Sequence, residues 1–427
     1  MRKYLTLALA LVAAFQASAS ITLEECRKAA RENYPEIAMT PLIEQTRDLT
    51  LKNITTAWFP QIVVGGQATW QNHVAKFSDE VRQTIAGLGM DVPGLRHDQY
   101  HVGALLSQNI WDGGETRAAR KITQAETETA MRKTDADLYA VDGRVDDLFF
   151  GILLAQEQEK EIELTLNLLE SNLRTVEIYY KDGVAMLADV DAVKAQKLTV
   201  NQYLKQAKSA EETLRTMLGI FMGRDISTET LIRPESPAVG GQDCERPELK
   251  TFDAMENAID SRRDAIKASL MPKIGLFAGA WYGYPGLNVI KDMTEHKWSF
   301  NFLAGINVGW NVGSLYTRSN NLKKLDIEKK QVEVERNLFM FGINLEKSKE
   351  NGDIKRLQSM LQDDSEIVKL RQAVRNAAES KLRNGVIDTN DLLQKITEES
   401  MARQEKTNRE IELLKARYEL AHTLNQN

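Results

Sequence analysis

Along residues 300–310 apolar and small or polar positions alternate with a period of two. Phe300, Phe302, Ala304, Ile306, Val308 and Trp310 fall on one face, and Asn301, Leu303, Gly305, Asn307, Gly309 and Asn311 on the other. Tyr100, Val102, Ala104, Leu106 and Ile110 alternate in the same way against His101, Gly103, Ser107 and Asn109. Such alternation over roughly ten residues predicts strands, of a length that suits a membrane β-strand with an apolar outer face. Two regions each predict a strand pair around a loop. Gln61 to Trp70 pairs with Gln99 to Ile110, and Lys273 to Tyr282 pairs with Ser299 to Trp310. The first loop predicts a short surface helix starting near Ser78, Asp79 and Glu80.

Elsewhere the period is helical. Val145, Leu148, Ile152, Ala155, Ile162, Leu166, Leu169, Leu173, Val176 and Tyr180 follow a 3-4 spacing broken only at Glu159, which is a coiled-coil heptad. Ile354, Leu357, Leu361, Ile367, Leu370 and Val374 repeat it less cleanly. No proline occurs between Pro93 and Pro234, or after Pro285. Glu115 to Asp182 as one helix is about 100 Å long at the usual rise per residue, and Ser314 to Asn384 is similar. Helices of that length predict an elongated tube or bundle. Each stops at a glycine, Gly183 or Gly385, in the position that favours a left-handed backbone. A second helix then returns, capped near Asp189 in one case and by Asp388 or Thr389 in the other. Ala207, Ala210, Leu214, Met217 and Phe221 form the seam of one return helix, and Ile411, Leu414, Tyr418 and Ala421 that of the other.

These elements occur twice in the same order. Pro35 and Pro60 return as Pro247 and Pro272, both 212 positions later. Ile110-Trp111-Asp112-Gly113-Gly114 returns as Gly309-Trp310-Asn311-Val312-Gly313, and Lys181-Asp182-Gly183-Val184 as Arg383-Asn384-Gly385-Val386. A duplicated chain builds one structural unit twice. Four membrane strands do not close a barrel, and open edges are forbidden in lipid, so the pattern demands oligomerisation.

Composition narrows the compartment. Residues 1–19 have the form of an export signal: Arg2 and Lys3, an apolar run from Leu5 to Phe15, then Ala17-Ser18-Ala19. The formal charge of −6 becomes about −8 without that segment, which argues against nucleic acid. Cys26 and Cys244 are the only cysteines; an oxidising compartment allows them to pair. The histidines are scattered, and His97 with His101 flank a strand start, where helical metal-ligand spacing does not apply. There is no phosphate-cradling glycine motif and no nucleophile constellation, so neither an enzyme nor an energised transporter is expected, and no cofactor.

The doubled Pro-Glu-Ile/Leu signals, the Pro-Gln-Ile and Pro-Lys-Ile strand starts, the Trp-Asp-Gly-Gly and Trp-Asn-Val-Gly strand exits and the two Gly-Val tips resemble the outer-membrane efflux protein family of TolC-like exit ducts, over essentially the whole mature chain. The resemblance implies a mixed α and β membrane protein, a homotrimer sharing one twelve-stranded barrel continuous with a periplasmic α-helical barrel. It implies a location in the outer membrane of a Gram-negative bacterium. It also implies a passive, gated duct for drugs, small molecules or proteins, with a periplasmic adaptor and an inner-membrane pump as partners.

On that reading residues 20–59 are N-terminal periplasmic helices, 60–112 a strand pair with external loop 71–98, and 113–222 a helical hairpin with its tip at 181–186. Residues 223–246 are an inter-repeat linker or equatorial segment and 247–271 a periplasmic helix. Residues 272–312 are the second strand pair with loop 283–298, and 313–427 the second hairpin with its tip at 383–388. Lys181, Asp182, Gly183, Val184, Arg383, Asn384, Gly385 and Val386 would then dock the adaptor. The family narrows its periplasmic mouth with aspartates six and nine residues after the second tip glycine. Those positions hold Asp391 and Gln394, and Asp189 is the first-repeat counterpart, so the second aspartate is replaced. A carboxylate ring in a narrow pore would favour cations. Two rival readings remain: a periplasmic coiled-coil adaptor or structural protein without membrane strands, and a metal-ion efflux duct.

Overall fold

The computed structural model describes residues 20–238 and 244–426. The export-signal expectation for 1–19 and part of the linker expectation for 223–246 lie outside them. In chain order the elements are β1 (Ser20–Ile21), α1 (Leu23–Asn33), α2 (Met39–Thr55), β2 (Gln61–Trp70), α3 (Asp79–Gly87), β3 (Asp98–Trp111) and α4 (Glu115–Lys181). There follow α5 (Leu187–Met222), β4 (Thr230–Leu231), α6 (Pro247–Ala268), β5 (Lys273–Tyr284), α7 (Val289–Glu295), β6 (Ser299–Gly309), α8 (Ser314–Arg383) and α9 (Thr389–Leu424). Two compact units form.

One unit gathers the described parts of 1–40, 131–251 and 334–427. Its first core packs Leu23, Cys26 and Ala30 of α1 against Val145, Phe149, Phe150 and Ile152 of α4, with Leu218 and Met222 of α5 and Ile411 and Leu414 of α9. Thr22 starts α1 with a capping box. Its backbone N–H donates to the Glu25 carboxylate (2.9 Å), and the Glu25 N–H donates back to Thr22 Oγ1 (3.3 Å). Two arginines then clamp α1 onto α4. Arg27 donates twice to the buried Asp146 (2.7 and 2.6 Å), and Arg31 does the same to Asp142. Truncating one partner would leave a buried charge uncompensated, which is costlier than the net worth of the pair.

The second core runs along both hairpins. Ile162, Leu169 and Val176 of α4 and Val190, Val193 and Val200 of α5 share it with Ala378 and Leu382 of α8 and Leu392, Leu393 and Ile396 of α9. In α4 these are the expected heptad positions, but in α8 the expected seam residues Ile367, Leu370 and Val374 are 44%, 57% and 45% exposed, and Ala378 and Leu382 take the buried places instead. β1 and β4 add a two-residue parallel ladder, too short to leave an alternation in the sequence. Cys26 is fully buried, Cys244 is half-buried, and both are free thiols, so the disulfide that composition allows is not formed.

The other unit comprises 41–130 and 252–333 and holds an antiparallel sheet of order β2-β3-β5-β6. Each repeat contributes one strand pair, and β3 with β5 joins the repeats. Ile259 of α6 packs on Leu325 and Val332 of α8, flanked by Arg262–Glu328 (2.8 Å) and Lys329–Asp260 (3.0 Å) ion pairs.

The strand-exit motif has a local cause. Asp112 accepts from the N–H groups of Gly114 (2.9 Å) and Thr116 (2.7 Å), capping α4 as the chain leaves β3. A Cβ on Gly113 would lie 2.6 Å from that of Met271 and at a positive φ of 69°, so no other residue fits. In the second repeat Ser314 Oγ instead donates to the Asn311 carbonyl (2.6 Å). Trp310, expected as the last strand residue, lies one position beyond β6, and its indole donates to the Leu270 carbonyl (3.0 Å).

Candidate functional site

The two hairpin tips are built alike. At the end of α4 Gly183 adopts φ 75°; its N–H donates to the Tyr180 carbonyl (3.1 Å), and that of Val184 to Tyr179 (2.8 Å). At the end of α8 Gly385 adopts φ 70°; its N–H donates to Leu382 (3.0 Å), and that of Val386 to Lys381 (2.9 Å). Both are Schellman motifs, which satisfy carbonyls that a helix end would leave orphaned. Lys181, Asp182, Gly183, Val184, Arg383, Asn384, Gly385 and Val386 are all exposed. The turn also lifts an apolar side chain into solvent on each tip, with Val184 73% and Val386 68% exposed. Behind the valines, Ala185 and Ile387 pack on the shared hairpin core, so both tips stand on one apolar cluster.

A buried ion network stiffens the second hairpin above its tip. Glu399, only 1% exposed, accepts from Arg375 (2.6 Å) and Arg403 (2.7 Å), while Arg375 also reaches Glu379 (2.6 Å). Burial works against the Arg375 cation, but the two carboxylates outweigh it and raise its pKa.

The three positions expected at a constriction differ in what holds them. Asp388 caps α9 by accepting the Asp391 N–H (2.9 Å), which leaves the Asp391 carboxylate exposed. One turn on, Gln394 is exposed on the same helix face, its amide donating to Glu398 (3.0 Å). Asp189 is half-buried, and its carboxylate accepts the Met186 N–H (2.8 Å), so it is engaged at the start of α5. Among the described residues, no group of three or more His, Cys, Asp or Glu is placed to share a metal ion.

The sheet presents two contrasting faces. Directly paired residues share a face, so the register places Phe300, Phe302, Ala304, Ile306 and Val308 beside Tyr282, Ala280, Ala278, Leu276 and Ile274. The same face continues through Val102, Ala104 and Leu106 of β3 to Val64 and Ile62 of β2. A bulge between Asn109 and Trp111 skips Ile110 and puts Trp111 opposite Ile274 on this face instead. Val64 is 74%, Phe300 71% and Ile306 68% exposed. Both sheet edges, β2 and β6, lack a partner strand among the described residues.

The opposite face carries small and polar residues, with an apolar exception that the period-two pattern did not mark. Leu105, Phe277, Trp281 and Leu303 line a hollow of about 600 Å³ there. Leu303 was legible as a member of this face; the aromatic pair was not, because β5 is apolar on both faces (Leu276, Phe277, Ala278, Ala280, Trp281, Tyr282).

Residues 27–220 match the family described as outer membrane efflux protein. That is the family whose landmarks the two repeats resemble, and the matched stretch spans the first of them. No curated protein sequence matches the chain. Among solved structures the fold is similar to the outer membrane protein VceC of Vibrio cholerae, with TM-score 0.67 and 14% identity over 94% of this chain and 95% of that one. It is similar to the outer-membrane channel OprN, with TM-score 0.67 and 16% identity over 95% and 90% of the two chains. It is also similar to the Campylobacter jejuni CmeC outer membrane channel, with TM-score 0.64 and 12% identity over 95% and 85%.

Proposed function

We propose that this chain is one third of an outer-membrane exit duct, in which three copies close one twelve-stranded barrel and their helical hairpins form a periplasmic tunnel. The observation that carries this reading is the sheet, whose exposed apolar face ends in two unpaired edges. In water such a sheet would aggregate, and in lipid unpaired edge groups cost several kcal/mol each. Pairing β6 of one copy with β2 of the next satisfies both demands at once. A periplasmic coiled-coil adaptor would have the hairpins but no use for this face.

The tips dock an adaptor, which links the duct to an inner-membrane pump. Lys181, Asp182, Arg383 and Asn384 supply polar contacts around Val184 and Val386. Two exposed valines on rigid Schellman turns suit recognition by a shallow apolar groove. Asp391 supplies the carboxylate of the periplasmic constriction, one per copy, with Gln394 as a neutral neighbour one turn further in. Cargo passes by diffusion, in keeping with a sequence that carries no phosphate-cradling glycine motif.

The test has two arms. Photo-cross-linkers placed at 184 and 386 should capture an adaptor in intact cells, and deletion of the gene should sensitise cells to a panel of toxic compounds. Unchanged sensitivity together with no adaptor adduct would overturn the export reading.

A further inference from the structure

The hollow on the second sheet face has an unusual floor. One cross-strand row reads Gly65, Gly103, Trp281, Asn301, and the next reads Val63, Leu105, Gly279, Leu303. A third places Ser107, Phe277 and Gly305 side by side. The glycines make room for the rings. A Cβ on Gly305 would lie 2.8 Å from two ring atoms of Phe277, so that ring lies over the glycine backbone. A Cβ on Gly103 would meet Trp281 Cβ at 2.5 Å and the Ala280 carbonyl oxygen at 2.4 Å. On Gly65, at the far end of the indole's row, nothing lies within 4 Å of the Cβ position. The indole and phenyl groups are thus half-buried in the sheet, with unoccupied glycine surface beside them.

Charge decides what this surface takes. Leu105, Phe277, Trp281 and Leu303 are bordered by Gln67 and His101, and no carboxylate, lysine or arginine lines the hollow. A metal ion or polyanion would find no counter-charge there, whereas an aromatic plane gains from offset stacking on indole and phenyl rings. Gln67 and His101 supply hydrogen-bonding groups at one rim.

We infer that Trp281, Phe277, Leu105 and Leu303 form a lumenal transit site for uncharged planar aromatic solutes bearing a hydroxyl or similar hydrogen-bonding group. The inference rests on the exit-duct reading, which turns this face toward the lumen and the Phe300 face toward lipid. It adds the class of cargo for which the barrel provides a resting place. Repeated in three copies, the site lets such solutes hop along the wall while ions pass down the axis.

The experiment is single-channel recording of the purified full-length chain in planar bilayers, with 1-naphthol as probe and potassium chloride carrying the current. Wild type should show reversible interruptions by 1-naphthol, and cyclohexanol at equal concentration should give far fewer. Trp281→Ala and Phe277→Ala should each shorten the interruptions about tenfold at unchanged open-channel conductance, the loss expected of one stacking partner. Trp281→Phe should retain most of the effect, and Trp70→Ala, at the far side of the sheet, all of it. Conducting channels that 1-naphthol interrupts equally in wild type and both alanine variants, or not at all, would overturn the transit site and leave the duct standing. A purified chain that forms no channel would overturn the duct and the transit site with it.

Discussion

Glu350 is a carboxylate in the wrong place for charge. It is 8% exposed, its Oε1 accepts from Thr423 (2.8 Å), and its Oε2 is buried without a partner. Burial, reinforced by Glu346 and Glu419, pushes its pKa from the ordinary 4.5 up to about 7. A raised carboxyl pKa contributes stability that is complete below 4.5 and lost as pH rises through 7. His422 works in the opposite sense. Burial against Tyr139, whose ring stacks on it at 4.3 Å, drives its pKa down to about 4. Stability from His422 is therefore complete above 6.5 and lost as pH falls toward 4. Glu350→Gln should raise unfolding stability by about 2 kcal/mol at pH 8 and leave it nearly unchanged at pH 4. Denaturant titration at the two values checks this, and an equal effect at both would contradict it. Neither group was legible in the sequence, because a Glu or His in a polar helix looks solvated until its neighbours are known. Asp391 was singled out only by the family resemblance, from its place six residues after Gly385, and Trp281 and Phe277 were hidden because β5 is apolar on both faces.

Among the elements, the long helices were the most legible. Glycines at 183 and 385 stop α4 and α8 within two residues of where the pattern ends, since a left-handed residue cannot continue a helix. The heptad break at Glu159 also has a structural counterpart. Glu159 faces Glu211 of α5, and burial and that neighbour raise its pKa, while Glu211 is held down by Arg215 and Gln156 despite its own burial. Alanine at either tip glycine meets no atom within 4 Å, so its cost is backbone strain alone, about 1 to 2 kcal/mol. Gly183→Ala should therefore speed amide exchange at Val184 by roughly tenfold, measured by hydrogen-exchange mass spectrometry. Unchanged protection would show that the Schellman turn does not depend on glycine. The strands were legible where one face is apolar and the other is not. The sheet faces then make a paired expectation. Ala304→Arg, at the centre of the face proposed to meet lipid, should cost roughly 2–4 kcal/mol and deplete the protein from outer membranes. Asn307→Arg, on the opposite face, should leave its abundance unchanged. Equal depletion by both would contradict the assignment of faces. The β1–β4 ladder and the helix α7 between the second strand pair escaped prediction, because two and seven residues are too few to display a period.

For the molecule as a whole, the duplication was readable as paired landmarks, and it reappears as two strand pairs and two hairpins. What no single sequence displays is how copies meet, since edge pairing uses backbone groups that every residue carries. The segments that join the two strands of each pair also interlock, with His296 Nε2 at 2.6 Å from the Gly94 carbonyl and the Tyr284 hydroxyl accepting the Arg96 N–H at 2.9 Å. If Asp391 rings a constriction, Asp391→Asn should lower cation selectivity and relieve block by divalent cations in planar bilayers; selectivity and block identical to wild type would remove it from the pore. The central claim is closure by three copies, and native mass spectrometry of the species extracted by mild detergent from isolated outer membranes tests it most directly. A single assembly of three chains, stable until the detergent is stripped, is the expected result. A monomer in that fraction, or recovery of the chain only from the soluble periplasm, would contradict it.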